Sequence, residues 1–190
     1  MSSVDYSLNP EEMERMIKAC EEPREKLVIA CTMLFGMREG EIKHMREEWL
    51  SYQNNKIMIP STQPCDCWQC KGEWHPKTKR GARSIPMWHE WGKGAVKGYF
   101  SIRKDSGIKS RKTIYNIVQK IAERARVQRH TYPHGLRATA ATHFAEMGMS
   151  AQGLCEVMGW IHLGTATAYI TRLGKTAERE LNTLKENSLV

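Results

Sequence analysis

The sequence predicts a mainly α-helical domain carrying a small antiparallel β-sheet. The first observation is a 3.6-residue apolar stripe, Ile114, Ile117, Val118, Ile121 and Ala122, the signature of a helix with one buried face. The second is the run Asn9-Pro10-Glu11-Glu12. It offers an N-cap, a proline at the first helical position and an acid three residues after the cap. The third is a pair of β-rich runs, Lys56 to Pro60 and Ala82 to Met87, too short for helices and bounded by turn residues.

In chain order, the first helix turns Met13, Met16, Ile17 and Cys20 inward. A second runs from Lys26 to Phe35 and stops at Gly36, and a third spans Glu39 to Trp49, which puts Arg38 at a helix junction. Trp74 to Lys77 is expected to pair with the strand Ala82 to Met87 across the turn Thr78 to Gly81. Leu136 to Met147, Ser150 to Met158 and Ala177 to Leu184 complete the helices. Internal repeats and low-complexity tracts are lacking, so residues 1–190 are expected to form one domain, with a cysteine-rich insertion at about residues 61–75.

Composition narrows the function classes. A chain of 190 residues, 41% hydrophobic and 26% charged, has the make-up of a globular domain. Its formal net charge of +8 suits a polyanionic partner. Residues 101–130 hold nine basic side chains against only Asp105 and Glu123, so this stretch is expected to face nucleic acid. The longest apolar stretch, Leu27 to Phe35, falls far short of the roughly 20 residues that span a bilayer. The start has no charged region followed by an apolar core, so the expected location is intracellular, cytoplasmic or nucleoid-associated. In a reducing compartment Cys20, Cys31 and Cys155 become small core residues.

The chemistry concentrates in the last third. His134 and Arg137 are three residues apart, Trp160 follows, and Tyr169 stands nine residues beyond Trp160. A phosphodiester repels nucleophiles until its non-bridging oxygens are neutralised, and guanidinium groups match that geometry best. A phenol that attacks phosphorus must lose a proton, and the leaving oxygen must gain one. Two arginines, an acid, a base and a tyrosine therefore make a strand-cleaving site that needs no metal or cofactor for catalysis.

These residues stand within a longer pattern. Gly36-Met37-Arg38-Glu39-Gly40-Glu41-Ile42 has an Arg followed three residues later by a Glu. Lys77-Thr78-Lys79-Arg80-Gly81-Ala82-Arg83-Ser84-Ile85-Pro86 is a basic turn leading into a strand. Pro133-His134-Gly135-Leu136-Arg137 and Val157-Met158-Gly159-Trp160 precede Tyr169. In this order and spacing the chain resembles the catalytic domain of the tyrosine recombinases, the phage-type integrases. The resemblance implies that Tyr169 attacks the scissile phosphate to give a 3′-phosphotyrosine and a free 5′-hydroxyl. Arg38 and Arg137 would clamp the phosphoryl oxygens, Lys77 would protonate the leaving oxygen, and His134 would manage the tyrosine proton. Lys79 competes with Lys77 for the acid's role. Trp160 stands where the family more often has His; an indole can still donate a hydrogen bond or brace the tyrosine. His162 is out of register for that place.

Double-stranded DNA is the partner so implied, with Lys79, Arg80, Arg103, Lys104, Lys109, Arg111 and Lys112 as expected contacts. The family's N-terminal core-binding domain is expected to be absent from this chain. The segment Ala177 to Val190, with Leu181 and Leu184 on a polar helix, is expected to join protomers in a homo-oligomer on DNA. Two other functions share these features, a type IB topoisomerase-like strand passage and a non-catalytic, zinc-containing DNA-binding module.

The family pattern does not account for Cys65, Cys67 and Cys70, with His75 five residues further on. Three thiolates and an imidazole are enough for a closed, structural Zn²⁺ site. The other reading is a loop of reduced cysteines.

Overall fold

The computed structural model describes residues 6–172. Eight helices and five short strands are found there, in the order α1 (Pro10–Lys18), α2 (Pro23–Ile29), α3 (Glu39–His44), β1 (Leu50–Ser51), β2 (Lys56–Ile59), β3 (Gln63–Cys65), β4 (Gly72–Trp74), β5 (Arg83–Pro86), α4 (Glu90–Phe100), α5 (Arg111–Arg124), α6 (Pro133–Glu146), α7 (Ala151–Met158) and α8 (Leu163–Arg172). The expected mainly α fold with small antiparallel sheets is what forms.

The local signals explain most of the boundaries. Asn9 and Glu12 complete a reciprocal capping box on α1. α2 continues into a π-helical segment, Ala30–Leu34, and the chain from Leu27 to Phe35 is almost wholly buried. Gly36 then turns with φ +61°, and a Cβ there would lie 2.6 Å from the Met158 sulfur. The positive φ is what favours glycine here.

α3 is shorter than the expected Glu39 to Trp49 helix, because tertiary bonds take the carbonyls that would continue it. Ser106 donates from its hydroxyl to Lys43 O (2.8 Å) and from its N–H to Met45 O (3.0 Å), while Gln63 Nε2 donates to His44 O (2.8 Å). Met45 is accordingly extended. The strand pairing also departs from expectation. β5 pairs with β2 in a three-stranded antiparallel sheet, β1-β2-β5, with Ile57 opposite Ile85. β4 pairs instead with β3 in a separate hairpin. Trp74 of β4 packs against Trp49 and His44, which draws that strand away from β5.

Two helices were not legible in the sequence. α4 is punctuated by Gly92, Gly94 and Gly98. Gly92 is there because a Cβ would meet Phe35 at 2.8 Å. α8 carries Tyr169; the expected helix Ala177 to Leu184 lies outside the described residues. The main core gathers α1 to α5 and the sheet, and a second cluster joins α6, α7 and α8 through Phe144, Leu154, Cys155, Met158, Ala166 and Tyr169. Cys20, Cys31 and Cys155 are buried, reduced core residues as expected.

Candidate active site and metal cluster

The site is organised around a buried carboxylate. Glu41, 2% exposed on α3, accepts the Arg38 backbone N–H (2.8 Å) and the Arg38 guanidinium (3.0 Å). From β5, Arg83 meets the same carboxylate with both terminal nitrogens, at 2.8 and 3.0 Å, a bidentate pairing. Burial alone would raise the Glu41 pKa; the hydrogen bonds and charge of Arg83, then Arg137 and the Arg38 N–H, bring it below the ordinary carboxylate value. Glu41 stays ionised and fixes two guanidinium groups.

The C-terminus of α7 forms the opposite wall. Gly159 caps that helix in the left-handed region, at φ 63° and ψ 41°. Its carbonyl accepts from Arg38 (2.9 Å) and from the Thr78 hydroxyl (3.4 Å). A Cβ at this position would lie 2.9 Å from the Arg80 carbonyl, 3.1 Å from the Arg83 guanidinium and 3.2 Å from that of Arg38. Arg83 also donates to Val157 O at 2.6 Å. Arg137, buried at 4% exposure in the second turn of α6, donates to the carbonyls of Gly36 and Met158. Burial, then the neighbouring Arg38, lowers its pKa to about 9. That still leaves it cationic at neutral pH. Each of Arg38 and Arg137 carries more N–H donors than these bonds use.

Tyr169 is buried, and its ring stacks on Trp160 at 5.2 Å with 21° between the planes. The indole at position 160 thus braces the tyrosine from the side. His134, at the start of α6, keeps an exposed edge. Partial burial, then the charges of Arg137, Arg38 and Lys77, lower its pKa below the ordinary histidine value. Neutral imidazole is the form favoured at neutral pH. Lys77 is exposed between β4 and the 3₁₀ turn Lys79–Gly81, close enough to act on His134 electrostatically. The structure therefore brings Arg38, Arg137, His134, Trp160 and Tyr169 together, with Lys77 at the rim. Arg83 is the residue that sequence reasoning passed over. Its signal was present in the quoted run Lys77 to Pro86, but a strand arginine has no local partner to mark it. His162 lies outside this group, in a cleft lined by Arg80, Arg83, Gln152 and Ile161.

The basic stretch divides. Lys109, Arg111 and Lys112 are exposed at the start of α5, and Lys79 and Arg80 are exposed on the turn beside Gly159. Lys104, by contrast, pairs with Glu47, and Arg103 lies over the Tyr99 ring. Lys120 and Arg124 bind Glu25, Arg124 also binds Glu21, and Arg129 binds Glu12. Three of the nine basic residues between 101 and 130, Lys120, Arg124 and Arg129, therefore tie α5 and the following loop to acids at Glu12, Glu21 and Glu25.

A second cluster sits at the other end of α3. The ligand atoms of His44, Cys65, Cys67 and Cys70 all lie within 4.8 Å of one another. His75, the expected fourth member, is exposed and outside the cluster. The correction follows from the hairpin: β4 ends at Trp74, whose ring stacks on His44 and brings that imidazole, from far upstream, over the sulfurs.

Arg38, Arg137 and the Trp160–Tyr169 stack thus meet at the C-terminal end of α7, with Arg83 joining Arg38 on the Glu41 carboxylate. The chain belongs to the phage integrase family, which matches residues 6–175. Among its relatives is a tyrosine recombinase of Pseudothermotoga lettingae, 24% identical over 166 residues, covering 86% of this chain and 55% of that protein. Tyrosine recombinase XerA of Pyrococcus horikoshii is 22% identical over 180 residues, covering 88% of this chain and 57% of that protein. The chain thus spans a little over half the length of these relatives. Its fold is shared with the XerA recombinase crystal structure (TM-score 0.71, 22% identity, 94% of this chain and 64% of that one). It is also shared with the catalytic domain of bacteriophage HP1 integrase (TM-score 0.56, 17% identity, 90% and 93%). The Tn1549 transposon integrase, solved in complex with circular intermediate DNA, has the same fold (TM-score 0.69, 19% identity, 94% and 66%). Among the described residues no helix is long and apolar enough to cross a membrane.

Proposed function

We propose that this chain breaks and rejoins DNA strands as a site-specific recombinase or integrase, with Tyr169 as the nucleophile. The observation that carries the reading is the convergence of Arg38, Arg137, His134 and the Trp160–Tyr169 stack on the C-terminal end of α7. The remaining N–H groups of Arg38 and Arg137 would bind the two non-bridging oxygens of the scissile phosphate, neutralising charge that grows as the phenol attacks. The Tyr169 oxygen bonds to phosphorus, its proton passes to neutral His134, and the bond to the 5′ oxygen breaks. Lys77, with Lys79 as its rival, gives that oxygen a proton and leaves a 5′-hydroxyl. Attack of a 5′-hydroxyl on the 3′-phosphotyrosine reverses these steps and rejoins a strand.

The known relatives support double-stranded DNA as the partner, since the Tn1549 integrase and the XerH recombinase were both solved on DNA. Lys79, Arg80, Lys109, Arg111 and Lys112 are the exposed cations that would bind its backbone. Residues 177–190, outside the described residues, would link protomers on DNA. The reaction needs no cofactor for its chemistry. A nicked suicide duplex tests the reading: wild type should give an adduct that survives denaturation, Tyr169→Phe should give none at nearly unchanged DNA affinity, and an adduct with the Phe variant would assign the nucleophile elsewhere.

A further inference from the structure

We infer that His44, Cys65, Cys67 and Cys70 bind one structural Zn²⁺ that bolts the C-terminal end of α3 to the β3–β4 hairpin. The histidine's orientation carries most weight. His44 Nδ1 lies 2.7 Å from the Gly40 carbonyl. A carbonyl only accepts, so Nδ1 carries the proton and Nε2 presents its lone pair. That nitrogen is 3.3 Å from the Cys70 sulfur and 3.6 Å from the Cys67 sulfur. In a tetrahedral site with ordinary Zn–N and Zn–S bonds, nitrogen and sulfur ligands stand about 3.6 Å apart. The four ligand atoms are thus already near the positions a single ion would give them. A histidine that donates its distal N–H to a backbone carbonyl is also the usual arrangement behind a zinc ligand.

The hairpin is built for the same end. Cys65 closes β3, opposite Gly72 of β4, and the turn between them holds Cys67 and Cys70, with the Cys70 N–H on the Cys67 carbonyl at 3.0 Å. The chain reverses through Lys71 and Gly72, both with positive φ. The strain at Lys71 returns no hydrophobic burial, because this residue is exposed. Lys43 gives an independent pointer. Its side chain is buried, and its ammonium donates to Cys67 Sγ at 3.5 Å and to Gln69 Oε1 at 3.0 Å. Among the described residues no carboxylate pairs with it. A buried ammonium calls for an anion, and three thiolates around Zn²⁺ carry one net negative charge. Lys43 therefore completes the cluster's charge balance.

The ligand shell is filled by protein, so the ion leaves no position for substrate and has a structural role. Its effect on function is positional. α3 begins at Arg38 and Glu41 and ends at His44, and the hairpin leads within three residues of Trp74 to Lys77.

The test is metal binding by the reduced full chain, read without DNA, so that its outcome is separate from that of the strand-cleavage reading. Titration with Zn²⁺ should saturate at one ion per chain, and X-ray absorption of the zinc form should show three sulfur ligands and one nitrogen. His75→Ala should leave both results unchanged, whereas His44→Ala should lose the nitrogen ligand and weaken binding at least tenfold. Diethyl pyrocarbonate footprinting of the wild-type chain decides the point if His44→Ala fails to fold: zinc should protect His44 and leave His75 reactive. Absence of stoichiometric binding by wild type, loss of the nitrogen ligand in His75→Ala, or protection of His75 in place of His44 would overturn the assignment.

Discussion

The two ends of α3 belong to constructions of opposite kind. At the N-terminal end, the donors of Arg38, Arg83 and Arg137 are matched by acceptors within the chain, namely the Glu41 carboxylate and the carbonyls of Gly36, Val157, Met158 and Gly159. At the C-terminal end, His44 and three cysteines turn their electron pairs toward one another. The first arrangement is held by protein atoms and keeps spare donors for an anion. The second gathers acceptors and asks for a cation. A six-residue helix thus lies between a set of spare donors and a gathering of candidate metal ligands, and disturbing either end should be felt differently.

The largest separation should come from Arg137→Ala. Removing the buried guanidinium should lower the single-turnover cleavage rate by about a thousandfold, the scale set by losing an oxyanion-type donor, while DNA affinity changes little. Metal binding at the far end of α3 should be untouched. A variant that cleaves within tenfold of wild type would show that Arg137 only knits α6 to α7.

Glu41→Gln should act on the fold itself. Leaving Arg83 buried without its carboxylate should cost about 3 kcal/mol of unfolding free energy, measured by denaturant titration. The sign of the pH dependence follows from the lowered pKa of Glu41. Its contribution is fully present above the unfolded carboxylate value and is lost as pH falls through the lower folded value. Wild type and variant should differ most near neutral pH and converge in acid. A pH-independent difference would mean that shape, and not charge, holds the cradle.

His134→Ala should lower cleavage by about a hundredfold, within the usual range for a positioned base. Because the folded pKa of His134 is lowered, its neutral form persists into mildly acidic solution. The wild-type rate should therefore fall only below the ordinary histidine pKa, and the variant should lack that inflection. An inflection above the ordinary value would contradict the cationic surroundings described here.

The smallest effects divide the basic stretch. Substituting Arg111 or Lys112 with Ala should each reduce the salt slope of DNA binding by about one unit. Lys120→Ala should leave that slope unchanged, because its charge is spent on Glu25. Equal slopes for all three would restore the whole stretch to the DNA surface.

These contrasts also mark what could be read from the sequence. Helices with a strong local signal, such as the capping box at Asn9 and the stripe from Ile114, appear where their spacing places them. So do Arg38, His134, Arg137, Trp160 and Tyr169 around one helix end, because the order of motifs carries information that no single box does. What was not legible depends on partners distant in the chain. α3 stops early because Ser106 and Gln63 take its carbonyls. Arg83 matters because it meets Glu41, forty-two positions away. His75 is near the cysteines in sequence, but the stacking of Trp74 on His44 decides which imidazole faces them. The basic run likewise looks like a single surface until the acids of α1 and α2 claim Lys120, Arg124 and Arg129.

The most direct test of the central claim is to trap the reaction on a suicide duplex, digest the adduct and locate the nucleotide by mass spectrometry. The account predicts a nucleotide joined through its 3′-phosphate to the peptide bearing Tyr169, formed equally in the presence of a brief EDTA treatment. No adduct from active, DNA-bound protein, or a nucleotide on any residue other than Tyr169, would contradict it.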